Sequence, residues 1–171
     1  MNLKKLFIPL VLFIALLSGG KLNAQSDLGE AQAMFIYNFL AHIKWPDADL
    51  SNKYVIGVYG KTTTTLHLKK YTSNRMVGNR PIEVVEYTDL AQVKGCNVLL
   101  IAESKSSQLA TATSQLKGKS CLIISEKEGA TAQGAAIAFQ VSEGKLRYKL
   151  SEKNASEHNL YVSRALTTMS L

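Results

Sequence analysis

Two apolar runs, Val98-Leu99-Leu100-Ile101 and Cys121-Leu122-Ile123-Ile124, bracket a segment from Ser104 to Leu116 that reads as a helix, capped by Ser104 and ended at Gly118. A strand without polar alternation is covered on both faces, which is the condition of a parallel sheet between helices. Strand, helix and strand in succession give a parallel pair, because a crossover of this length suits parallel neighbours. Upstream, Lys53 to Gly60 is rich in β-branched and aromatic residues and reads as a strand. Thr62 to Tyr71 reads as a weak helix, Arg75 to Asn79 carries a glycine turn signal, and Pro81 to Tyr87 reads as a half-exposed or edge strand. Downstream, Gly129 to Gly134 is a loop, and Ala135–Val141 with Lys145–Leu150 form a hairpin across Ser142-Glu143-Gly144. From Ser151 the tail reads as helical, broken near Asn159, with Leu160 to Ser163 restarting it and Ser163 as its N-cap. The expectation is an α/β fold: one domain, residues 25–171, with a mostly parallel central sheet flanked by helices and an antiparallel hairpin near the C-terminus.

Before the first strand lies Ala33-Met34-Phe35-Ile36-Tyr37-Asn38-Phe39-Leu40-Ala41-His42-Ile43-Lys44-Trp45-Pro46. Only Asn38, His42 and Lys44 are polar between Ala33 and Trp45, so the segment reads as a buried helix. Proline cannot continue it, which sets the expected stop at Trp45. Residues 1–24 have the layout of a cleaved secretory leader. Lys4 and Lys5 precede an apolar run from Leu6 to Leu17, and Leu22-Asn23-Ala24 ends in a small residue. The run falls short of the roughly 20 apolar residues a membrane span needs. The expectation is an exported, periplasmic protein.

The formal charge of +7 includes Lys4, Lys5 and Lys21, so loss of the leader leaves +4 on residues 25–171. No block of like charges occurs, and nucleic-acid binding, which needs a clustered basic stripe, is not expected. Cys96 and Cys121 each stand at the start of an apolar strand. If those strands are neighbours, the two face each other at one sheet edge, as a disulfide or as two buried thiols.

Catalytic constellations are missing from the sequence. Val55 to Thr62 sits between strand and helix as a phosphate loop does, but only two residues separate Gly57 from Gly60, where the phosphate cradle needs four. His42, His67 and His158 are dispersed, with no Cys or carboxylate at metal-ligand spacing. There is no Gly-x-Ser-x-Gly elbow, and Asp27, Asp47, Asp49 and Asp89 form no acid–base pair. The expectation is a protein that is not an enzyme and holds no metal or cofactor.

Several stretches in register resemble the YfiR/HmsC family. Phe35-x-Tyr37-Asn38-Phe39 followed by Ile43-x-Trp45-Pro46 resembles its opening helix, and Tyr54 to Gly60 its first strand. Val77 to Ile82, Gly95 to Ile101, Lys119 to Gly129, Lys145 to Leu150 and Leu160 to Ser163 are similar to later family segments. Ala135 and Asn159 stand where the family usually has glycine, and the cysteines of a late disulfide found in some members are missing. The resemblance implies a non-enzymatic periplasmic regulator. Its expected partner is the sensor region of an inner-membrane signalling protein, by resemblance a diguanylate cyclase whose restraint lowers cyclic-di-GMP and biofilm formation. A homodimer is a further candidate assembly. Tyr37, Trp45 and Pro46 are the candidate partner-contact residues, since exposed aromatics anchor interfaces; the alternative is that all three are core, which is the favoured reading for Trp45, and Phe35, Ile36 and Phe39 read as core. The alternative is a small-molecule sensor whose pocket is lined by the loops after Gly60, Ile101 and Ile124, at the carboxyl edge of the sheet.

Overall fold

The computed structural model describes residues 20–46 and 52–171. Most of the expected leader and the loop carrying Asp47 and Asp49 lie outside the described residues. Among the described residues no helix is long and apolar enough to cross a membrane.

Helix α1 (Gly20–His42) leads into β1 (Ile43–Lys44), β2 (Tyr54–Tyr59), α2 (Thr64–Thr72), β3 (Met76–Val77) and β4 (Arg80–Tyr87). After a 3-10 turn come β5 (Val98–Ile101), α3 (Leu109–Leu116), β6 (Leu122–Ser125), β7 (Ile137–Ser142) and β8 (Lys145–Leu150). The chain closes with α4 (Glu152–Ser156), β9 (Tyr161–Val162) and α5 (Arg164–Met169). The main sheet has the order β3-β4-β2-β5-β6-β7-β8. Its central strands β4, β2, β5, β6 and β7 run parallel, and β3 and β8 pair antiparallel at the two margins. This is the expected mixed α/β architecture with its late hairpin.

The continuous apolar runs divide by alternation into two cores. Ile56, Val58, Val98, Leu100, Leu122 and Ile124 face α1 and α2, where Ile36, Phe39, Leu40 and Leu68 meet them. Tyr59, Leu99, Ile101 and Ile123 face the other way, onto Leu109, Ala112 and Leu116. Burial on both faces explains why the strands lack polar alternation.

Three local expectations are corrected. Helix α1 ends at His42 rather than at Trp45, because Ile43 and Lys44 pair antiparallel with Val162 and Tyr161, and the Ser163 N–H donates to the His42 carbonyl at 3.1 Å. Pro46 still bars any continuation, but the long-range pairing ends the helix first. The same ladder overturns the helix restart at Leu160–Ser163: β-branched and aromatic Tyr161–Val162 form a strand, and the helix resumes only at Arg164. Asn159 does adopt the left-handed backbone (φ 58°), and Ser163 occupies the N-cap position, although its side chain makes no cap bond. Finally, the segment after β5 opens as a 3-10 helix over Glu103–Gln108 before α3, so Ser104 caps nothing.

Helix α1 is not buried all round. Ala33, Ile36, Phe39 and Leu40 are fully inside, while Met34, Asn38 and Ala41 face out. Phe39 stacks on Phe139 (6.3 Å between centroids) and meets Tyr148 edge-on (5.0 Å), and Phe35 also meets Tyr148 edge-on (5.4 Å). The Tyr148 hydroxyl donates to the Leu166 carbonyl at 2.8 Å, tying α5 to the same cluster. The last residues then cover the outer edge of β8, with the Leu171 N–H on the Tyr148 carbonyl and the Ser170 hydroxyl accepting from Leu150 N. A covered edge offers no template for another strand.

Truncating Phe39 to Ala empties the centre of this cluster and is expected to cost about 3–5 kcal/mol of stability. Urea unfolding measures it; a loss below about 1 kcal/mol contradicts the assignment of Phe39 as the keystone of the α1–sheet contact.

Candidate functional site

The carboxyl ends of β2 and β5 are where such a sheet usually takes a ligand, because β2 has β4 on one side and β5 on the other and the connections diverge there. Here that point is filled by the protein itself. Gly60 leaves β2 at φ +96°, and a Cβ on it would lie 2.6 Å from Lys105 Cγ and 3.0 Å from Ala102 Cβ. The Lys105 ammonium stands 5.2 Å from the centre of the Tyr59 ring, whose hydroxyl donates to Gln108 Oε1 at 2.5 Å. The threonines after Gly60 serve a carboxylate instead of a phosphate. The Thr62 hydroxyl donates to Glu126 Oε1 (2.5 Å), and the Thr64 hydroxyl is shared between Gln32 Oε1 (2.5 Å) and Glu126 Oε1 (2.9 Å). The Glu103 N–H donates to Glu126 Oε2 at 3.3 Å. Beside this knot runs a crevice of about 240 Å³ lined by Gln32, Glu103, Glu126, Glu128 and Gln140, among others. Its acidic lining is wrong for a nucleotide, and among the described residues no three His, Cys, Asp or Glu side chains are placed to hold a metal ion together. Of the loops expected to line a sensor pocket, those after Ile101 and Ile124 reach the crevice, but Gly60 is packed shut.

The three expected contact residues part company. Trp45 is 3% exposed, its ring edge-on to Tyr54 at 5.6 Å. The expectation of a contact role for Trp45 is therefore corrected: the ring is core, held there because Ile43 and Lys44 are fixed in the β1–β9 ladder. Its Nε1 has no hydrogen-bond partner among the described residues. Pro46 is half-buried beside it. Tyr37 is different. It stands half-exposed on the outer side of α1, its ring edge-on to Tyr71 at 5.6 Å, and its hydroxyl donates to the Met76 carbonyl at 3.2 Å.

Around Tyr37 the structure assembles residues that sequence reading did not single out. The Arg75 guanidinium lies 4.1 Å above the Tyr71 ring centre and 5.4 Å from that of Tyr37. Met76 is 50% exposed next to it, and Met34, one turn before Tyr37 on α1, is 43% exposed. A cleft of about 250 Å³ adjoins the arginine, lined by Glu30, His67, Lys70, Tyr71 and Asn74 as well as Arg75. The helices can come this close because of Gly29, where a Cβ would meet Thr63 Oγ1 at 2.9 Å and the Thr64 backbone nitrogen at 3.2 Å. Arg75 lies past the end of α2, in the turn into β3, so no helical spacing announced its stack on Tyr71 and Tyr37.

Cys96 and Cys121 do face each other, at the amino end of β5 and β6, as buried thiols with sulfurs 3.4 Å apart. The hydrogen-bonded contact with Cys121, in which either sulfur can donate, lowers the Cys96 thiol below the ordinary cysteine value despite its burial. The same hydrogen bond, together with burial, pushes Cys121 up. A crevice of about 310 Å³ lined by Gly95, Cys96, Gly118, Lys119 and Cys121 leads to the pair.

A family model described as YfiR/HmsC-like matches residues 29–170, a span that runs from the α1–α2 approach at Gly29 through the C-terminal cover of β8. No curated protein matches the chain.

Bonding the two cysteines requires their sulfurs to close from 3.4 Å to about 2.05 Å. We expect diamide to oxidise the folded protein to an internal disulfide, the two thiols giving up two protons and two electrons to the reagent. The intact mass should fall by two hydrogens, faster as pH rises through the lowered titration of Cys96. Two thiols still titratable after treatment would contradict this.

Proposed function

The chain belongs to the YfiR/HmsC-like family, and from that premise we propose that it is a periplasmic regulatory protein acting through protein contact. Family members are regulatory, non-catalytic domains, consistent with periplasmic control of cyclic-di-GMP signalling. In the finer reading, it binds and restrains the periplasmic sensor region of an inner-membrane signalling protein, a diguanylate cyclase. The observation that supports contact over ligand sensing is the contrast between two faces. The carboxyl edge of the sheet is packed with the chain's own side chains. The flank formed by α1, α2 and β3 instead offers Tyr37, Arg75 and two exposed methionines. Tyrosine, arginine and methionine are enriched in protein interfaces. Export by the leader at residues 1–24 belongs to the same proposal.

Two measurements test it together. Tagged protein expressed in its own cells is cross-linked and purified, and its partners are identified by mass spectrometry; separately, the gene is deleted. The expected result is capture of a membrane protein with a periplasmic segment and a cytoplasmic GGDEF domain, with cyclic-di-GMP rising severalfold on deletion. Recovery of only a homodimer, with cyclic-di-GMP unchanged, would overturn the reading.

A further inference from the structure

Arg75 is held in position by two aromatic rings, and among the described residues no carboxylate forms an ion pair with it. Its guanidinium is charged at every relevant pH and carries five N–H donors in a planar fork. Among the described residues it makes no side-chain hydrogen bond and no ion pair. The contrast with nearby lysines is clear: Lys69 pairs with Glu86 at 2.5 Å and Lys53 with Glu83 at 2.5 Å. What positions Arg75 is aromatic stacking, on Tyr71 at 4.1 Å and beside Tyr37 at 5.4 Å. Those rings are themselves braced, edge-on to each other and tied to β3 by the Tyr37 hydroxyl. A cation stacked this way keeps its N–H edges free for an in-plane acceptor.

The adjoining cleft narrows what that acceptor can be. Lys70 and Arg75 place two permanent positive charges on its wall against one carboxylate, Glu30, which forms no ion pair with either among the described residues. Asn74 adds a neutral donor. At about 250 Å³ the space falls below the roughly 300–1,000 Å³ of a small-molecule pocket and suits a single side chain. Exposed Met34 and Met76 belong to the neighbouring surface, an apolar footing such as a protein segment would cover. We propose that this cleft is a carboxylate socket: Arg75, oriented by Tyr71 and Tyr37, takes the side-chain carboxylate of a Glu or Asp in an acidic, partly apolar segment of the partner protein. This assigns the specificity anchor of the contact surface and rests on the contact reading above.

The test uses the full chain and defined probes. A synthetic peptide alternating Glu and Leu, and its Gln-for-Glu counterpart, are titrated against the protein while NMR follows the Arg75 Nε–H and the Tyr37 and Tyr71 rings. The expected result is a saturable shift at all three with the Glu peptide and about tenfold weaker binding of the Gln peptide. Arg75→Gln should weaken the Glu peptide by a similar factor, and Arg75→Lys should recover only part, since lysine lacks the bidentate fork. Unchanged ring–ring contacts between Tyr37 and Tyr71 in these variants show that the fold persists. Equal binding of both peptides, no shift at Arg75, or equally strong binding of acetate or inorganic phosphate would each overturn the proposal. Because the titration needs no natural partner, its failure is separable from failure of the regulator reading. Undiminished capture of the membrane protein by Arg75→Gln would likewise refute the socket while leaving that reading intact.

Discussion

Phe39 lies between Phe139 and Tyr148, and most of the described structure can be traced from that contact. A helix with Ala33, Ile36, Phe39 and Leu40 on one side must cover an apolar sheet face, and the face available is formed by β2, β5, β6 and the β7–β8 hairpin. Once α1 is laid there, its continuation at Ile43–Lys44 is brought beside Tyr161–Val162, and the tail is drawn back to tie down α5 and cap β8. The opposite side of α1 is then committed to face outward. Burial of Phe39 and exposure of Tyr37 are two consequences of one rotation of the helix, since residues two apart cannot share a face.

That rotation also separates two kinds of surface. At the carboxyl edge, the position that in comparable sheets accepts ligands is occupied by Lys105 over Tyr59 and by threonine hydroxyls on Glu126. Filling the site gives the Tyr59, Thr62 and Thr64 hydroxyls acceptors within the chain. On the α1–α2 flank the balance is reversed. Stacking positions a cationic side chain that forms no ion pair among the described residues. Rigid scaffolding with an unanswered polar group at its edge suits a binding protein, since a pre-positioned side chain loses little entropy on association.

Much of this architecture was legible in the sequence, for local reasons. Val98–Ile101 and Leu122–Ser125 announce parallel strands because burial on both faces leaves no room for polar alternation. Asn159 could be placed at a left-handed position because its short polar side chain tolerates that backbone. Apart from the local 3-10 turn that displaces Ser104 as a cap, the misreadings involve partners distant in the chain. Nothing near His42 says that Ile43 will meet Val162, so the sequence alone runs the helix to Trp45 and leaves a contact role for that ring open beside the core reading that the structure bears out. Leu160–Ser163 was misread for the same reason. Cys96 and Cys121 could be brought together because they lie on adjacent strands. The stacking of Arg75 on both Tyr71 and Tyr37 joins two helices and was invisible without their packing.

In the function proposed above, the outward side of α1 and α2, rather than the carboxyl edge of the sheet, meets the partner. Site-specific photocrosslinking in intact cells tests it most directly. Met34→p-benzoylphenylalanine places the probe on the α1 flank, and Glu128→p-benzoylphenylalanine places it at the mouth of the acidic crevice. A covalent adduct with a membrane protein is expected from the first position and none from the second. An adduct formed only from the crevice position would contradict it.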